Sequence, residues 1–187
     1  DEKAKATKKK AVTKIGKLEV VFPKRGERSL AHYEIRRTSD GKVIKTVKTP
    51  QSTTTHPLLA GDYQLVLGFA NSNYRPATEA YLTDVTVAGG ETAAVSLGAI
   101  TFDIAKELTK LPVEAVSIID TGTGEPFMTQ ESGGNDYYLY RPKPVPDGTY
   151  DIAFRYSRIE TPLVVARGVT AVSYTHLRAH ETLRYIL

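Results

Sequence analysis

The sequence predicts an all-β protein built as two tandem antiparallel β-sandwiches, the second of them truncated. Three observations point there: hydrophobic residues recur with period two, turn-forming residues interrupt them at short intervals, and the pattern of the first half returns in the second. Composition agrees with a folded chain. Of 187 residues 41% are hydrophobic and 25% charged, enough for one large core or two small ones. The absence of cysteine excludes disulfides, thiolate metal sites and cysteine nucleophiles. No run of about 18 apolar residues occurs, so no membrane-spanning helix is expected. The chain opens at Asp1 and carries a single methionine, Met128, as a processed chain or a fragment would.

The formal charge of +4 sits at the ends. Lys3, Lys5, Lys8, Lys9 and Lys10 outnumber Asp1 and Glu2, and Arg178 and Arg184 outnumber Glu181, leaving the body between them balanced. A nucleic-acid partner needs an excess of Lys and Arg on one face. None is expected here.

Residues 1–15 are Lys- and Ala-rich with almost no large apolar side chain, so they read as a solvated linker. The first sandwich is expected over residues 16–98. Leu18, Val20 and Phe22 alternate with Lys17, Glu19 and Val21, and Tyr63, Leu65, Leu67 and Phe69 alternate with Gln64, Val66 and Gly68. Each set marks a strand with one face inward. Turns follow at Ser39-Asp40-Gly41, Ala60-Gly61-Asp62, Asn71-Ser72-Asn73 and Gly89-Gly90, and in the second half at Gly122-Thr123-Gly124, Gly133-Gly134-Asn135 and Asp147-Gly148. Only residues 104–111 leave room for a short helical connector.

The second sandwich is expected over residues 99–171, because its landmarks repeat those of the first. Gly16-Lys17-Leu18 corresponds to Gly98-Ala99-Ile100, and Tyr33-Glu34-Ile35 with Asp40-Gly41 corresponds to Val116-Ser117-Ile118 with Thr123-Gly124. Gly61-Asp62-Tyr63 corresponds to Gly148-Thr149-Tyr150, and Asp84-Val85-Thr86 to Gly168-Val169-Thr170. A repeat of this length is a whole small domain rather than a solenoid unit. In the first copy Gly89-Gly90 leads into a closing strand over Ala93 to Leu97; the second copy stops short of that strand. An open, adhesive sheet edge is expected in its place.

Residues 172–187 are read as foreign to the fold. Val172 to Thr182, VSYTHLRAHET, resembles the translation of a transposase-type sequencing-library adapter, and such scars are set aside before fold reasoning. This removes the one tempting metal motif, His176, His180 and Glu181 in H-x-x-x-H-E spacing.

With these residues in hand, each copy resembles the carboxypeptidase-regulatory-like, transthyretin-like and Cna protein B-type group of bacterial sandwich modules. The likeness covers residues 16–171. It rests on the opening Gly16-x-Leu18 strand, the Asp40-Gly41-Lys42-Val43 and Thr123-Gly124-Glu125-Pro126 hairpins, the Gly61-x-Tyr63 and Gly148-x-Tyr150 strand starts, and the Val85-Thr86-Val87 to Gly90-Glu91-Thr92 strand pair. The resemblance implies an immunoglobulin/prealbumin-like sandwich, a periplasmic or extracellular location in the cell envelope, and a non-catalytic structural or adhesive role within a larger exported bacterial protein. Its partners would be other domains of that parent protein. The Lys-Asn cross-link of some Cna-type domains is not carried over, since no matching Lys, Asn and acid recur in both copies.

The remaining motifs point to binding at most. Tyr137, Tyr138, Tyr140 and Tyr156, beside Arg141 and Arg155, read first as a core strand with alternate tyrosines outward; the competing reading is a candidate ligand surface of the kind that stacks sugars or meets a protein, which makes a carbohydrate-binding accessory module the alternative function. Asp120-Thr121-Gly122-Thr123 matches half of an aspartic-protease pair but stands alone and aligns with a hairpin turn. His32 and His56 lack a carboxylate at ligand spacing and read as packing or surface residues. Asp136, Asp147, Asp151 and Glu131 read as solvated turns rather than a calcium loop. No cofactor or metal is expected, nor is catalysis. Arg141 to Pro146, with three prolines, reads as a stiff loop at a sheet edge. Gly61-x-Tyr63 and Gly148-x-Tyr150 are expected to bury the ring and send the hydroxyl to a backbone acceptor.

Overall fold

The computed structural model describes residues 14–71, 76–102, 112–132, 136–157 and 161–172. The 1–13 part of the expected linker, the connector expected at 104–111, the turn at 133–135 and the stretch 173–187 lie outside the described residues. Thirteen strands are described: β1 (Ile15–Val21), β2 (Leu30–Arg37), β3 (Val43–Val47), β4 (Thr53–Leu59), β5 (Gly61–Phe69), β6 (Thr78–Val87), β7 (Thr92–Ser96), β8 (Gly98–Ile100), β9 (Val113–Asp120), β10 (Pro126–Glu131), β11 (Lys143–Val145), β12 (Gly148–Tyr156) and β13 (Leu163–Ala171). The fold is all-β and of the β-sandwich class.

In the first half a sheet of order β4-β1-β7 faces one of order β3-β2-β5-β6. Alternation sets which side chains meet between them. Leu18 and Val20 of β1, Tyr33 and Ile35 of β2, and Leu65 and Leu67 of β5 are completely buried, and the ring of Phe22 lies 5.5 Å from that of Tyr33 across the layers. Each such aliphatic side chain contributes roughly 1.5–3 kcal/mol by leaving water. The outward face of β5 departs from simple alternation. Val66 is also buried, and the His32 ring lies over Gly68, where a Cβ would stand 2.4 Å from it.

The pairing scheme of the first half recurs in the second. There β10-β9-β12-β13 repeats the order β3-β2-β5-β6, and β8 pairs antiparallel with β11 as β1 does with β4. Local bonds recur too. Gly41 N donates to Arg37 O (2.8 Å) and Gly124 N to Asp120 O (2.7 Å), each glycine at a positive φ of 65° and 73° that favours glycine. Thr38 N donates to Asp62 O and Thr121 N to Thr149 O, both at 3.0 Å. The buried apolar side chains of the two halves are contiguous.

The two glycine-tyrosine motifs do what their sequence predicts. Tyr63 is 5% and Tyr150 1% exposed. Their hydroxyls donate to the carbonyls of Leu59 (2.7 Å) and Pro146 (2.9 Å), four residues upstream in each case. Tyr63→Phe and Tyr150→Phe are each expected to cost about 1 kcal/mol, read as a lower urea midpoint at unchanged slope.

The proline-rich run differs from its sequence reading. Lys143-Pro144-Val145 is a strand rather than a loop, because Pro144 stands opposite Ala99 at a position whose backbone groups point away from the neighbouring strand. Pro57 stands opposite Lys17 in the same way, and the Lys17 N–H is spent on Glu91 O on the other side. Neither proline forfeits a ladder bond.

Candidate functional site

The predicted ligand surface divides into two clusters. Tyr137 and Tyr138 belong to a short 3-10 turn, Asp136–Tyr138, which sets their rings 5.6 Å apart edge to face. The Arg141 guanidinium lies 4.3 Å from the Tyr137 ring centroid and 5.1 Å from that of Tyr138. Its Nη2 donates to the Tyr137 hydroxyl at 2.7 Å, while Nη1 donates to the carbonyl of Arg28 in the first half. Tyr137 is 62% exposed, so this cluster presents an aromatic face with a cation held against it. Tyr140 and Tyr156 instead lie against Phe154, at 6.2 and 6.1 Å between centroids, with Phe102 a further 6.2 Å contact of the same ring. Both are half-buried. Arg155 faces Glu131 at 2.8 Å and Glu114 at 3.5 Å.

Beneath the Arg141 cluster lies a buried polar group that sequence reading missed. Lys143 and Gln130 are both fully buried. Lys143 Nζ donates to Gln130 Oε1 and to the Tyr138 carbonyl, and lies 5.7 Å from the Phe69 ring centroid. Gln130 Nε2 donates to Ala70 O (2.7 Å) and Asn71 Oδ1 (2.9 Å), and Asn71 Nδ2 donates to Pro76 O at 2.6 Å. One lysine and one glutamine thus join β10 and β11 to the end of β5. Beside them Gly26 meets Pro144: a Cβ on the glycine would stand 3.6 Å from the proline ring. Burial, reinforced by the nearby Arg141 charge, pushes the Lys143 ammonium down to about 7.

The other titratable candidates have structural surroundings. His56 is 2% exposed, and its Nε2 shares a 2.6 Å hydrogen bond with the Tyr33 hydroxyl. Burial, with Lys45 adding, lowers the His56 value. Asp120 Oδ1 accepts from Gly122 N at 2.7 Å and Thr123 N at 3.3 Å, an Asx turn closing the β9–β10 hairpin. Asp151 accepts from Gly168 N at 2.9 Å and pairs with Arg167. Among the described residues no three His, Asp or Glu side chains gather as metal ligands do, and no helix is long and apolar enough to cross a membrane.

The sheets define a protein of the β-sandwich class. Among solved structures the chain is similar to the Bacillus anthracis TIE protein, with 17% identity over 86% of this chain and a TM-score of 0.31. The match spans 31% of that protein's chain, so this chain covers about a third of its length. No family model matches the chain, and no curated protein does.

Proposed function

We propose that the chain is two tandem copies of one β-sandwich module, serving as a non-catalytic structural or adhesive segment of a larger exported or cell-envelope bacterial protein. The observation that carries this reading is the joint. Two halves with the same strand-pairing scheme are fastened by hydrogen bonds from the buried Gln130 side chain to the half-buried Ala70 and Asn71 and by an exposed one from Arg141 to Arg28. A fastened joint holds a fixed angle and transmits force, which suits a spacer. Because the chain has no cysteine, cysteines introduced at exposed Lys42 and Thr123 accept a donor-acceptor dye pair cleanly. The expected result is one narrow distance distribution that broadens in Gln130→Ser. A broad distribution in the parent chain refutes the spacer.

A second reading, a carbohydrate-binding accessory module, is favoured by the exposed Tyr137 ring with Arg141 against it. Glycan-array binding lost in Tyr138→Ala supports it. Binding to a protein partner alone favours the first reading.

A further inference from the structure

We propose that the first sandwich is a load-bearing unit, in which tension along the chain shears β1 against β7 rather than peeling them apart. This rests on the reading of the chain as a structural segment and adds the place where tension is resisted. Of the described strands of this sandwich β1 is the first and β7 the last, and β7 runs on through Leu97 into β8. The two are parallel neighbours, in register over five residue pairs from Lys17↔Thr92 to Val21↔Ser96.

Direction decides what a pull does to such a pair. Tension draws β1 toward its Ile15 end and β7 toward its Ser96 end, along the strands and in opposite senses. The evenly spaced ladder bonds run across that pull, so they are strained together and yield together. A pull on the same end of both strands opens one bond at a time.

The seam is backed by side chains. Lys17 N donates to Glu91 O at 2.8 Å and Leu97 N to Val21 O at 3.1 Å, which makes Lys17, Glu19 and Val21 the residues of β1 that bond β7. Leu18 and Val20, one residue out of phase, are completely buried, and Ala93 and Val95 of β7 pack against the same core. Sliding β1 past β7 therefore drags apolar side chains past one another as well as breaking bonds.

The start of β1 is gripped separately. Gly90 N donates to Ile15 O at 2.8 Å. A Cβ on Gly16 would stand 2.1 Å from Ala88 O, and one on Gly89 would stand 2.2 Å from Lys14 Cβ. The chain between β6 and β7 thus closes over residues 14–16, where the pull on β1 is applied. On its other side β1 is paired with β4 along its whole length, from Ile15↔Leu59 to Val21↔Thr53. Among the described residues β7 has β1 as its one neighbour in the sheet, so the β1–β7 seam sets the load.

The chain has no cysteine, so introduced cysteines define the pulling points in single-molecule force spectroscopy of the full chain. Lys14→Cys with Ser96→Cys pulls opposite ends of the two strands and loads the seam in shear. Lys14→Cys with Glu91→Cys pulls the same ends and peels it. Forced rupture reads the barrier along the direction of pulling, and the shear force is expected to be at least about twofold the peeling force. Equal urea midpoints for the two chains show that direction and not stability makes the difference. If Ser96→Cys lowers the midpoint, Ala94→Cys, exposed on the same strand, takes its place. Equal rupture forces in the two directions, or a shear force below the peeling force, overturn the proposal. Equal forces with a narrow dye-pair distance distribution overturn the load-bearing seam alone, whereas a broad distribution refutes the spacer whatever the force.

Discussion

Replacing Gln130 with leucine is expected to lower the unfolding free energy by about 3–5 kcal/mol at pH 6, because it strands a buried charge. The Lys143 ammonium, fully buried, loses the Oε1 acceptor, and the half-buried Ala70 O and Asn71 Oδ1 lose their donor. Adding Lys143→Met to Gln130→Leu removes the charge as well as its partner, and the double variant is expected to regain at least half of the loss. Urea denaturation of the four chains gives the cycle directly. An additive cycle would show that the two side chains do not act as a unit.

The same lysine sets a pH signature. Its value in the folded chain is about 7 against an ordinary 10.5, so between these the unfolded chain holds more protons and stability rises with pH. The contribution is complete above 10.5 and is lost as pH falls through about 7. The denaturation midpoint of the parent chain is therefore expected to climb between pH 7 and 9.5, and that of Lys143→Met to lack this climb.

The second large effect is expected at Tyr33. Tyr33→Ala removes a completely buried ring that touches Phe22 and His56 across the first sandwich, at a cost of about 3–5 kcal/mol. The loss exceeds that of Tyr33→Phe, which removes only the bond to His56 Nε2 and costs about 1 kcal/mol. His56 adds acid sensitivity. Its value is lowered in the folded chain, so its contribution is present above the ordinary histidine range and fades as pH falls below it. Thermal melts of both variants at pH 5 and pH 7.5 separate the ring from the bond.

Strands with one inward face were legible in the sequence because period-two alternation is local: Leu18, Val20 and Phe22, or Tyr63 and Leu65, declare their burial without knowledge of any partner. The hairpins at Gly41 and Gly124 were legible for the same reason, as was the backbone acceptor for Tyr63 and Tyr150. β11 was missed because three prolines within six residues argue against a strand. Only the register, which sets Pro144 opposite an outward-turned Ala99, makes it harmless. The Lys143–Gln130 group was missed because its parts lie 13 residues apart in the chain and about 60 from Ala70 and Asn71. Nothing local distinguishes Lys143 from a solvated lysine, and its burial arises only when the second half closes over the end of β5. The Tyr137, Tyr138, Tyr140 and Tyr156 series read as one strip because sequence proximity says nothing of which way each ring turns. The short turn at 136–138 sends two of them to Arg141, while the other two meet Phe154.

The parallel pairing of β1 with β7 also has a temporal consequence. On the ribosome Ile15–Val21 is made before Thr92–Ser96 and waits for it before their sheet is complete. At about 5–20 residues per second the gap lasts several seconds. Through that interval β1 can be guarded only by β4, and a nascent chain halted between them would offer neighbouring polysomes an unfinished ladder.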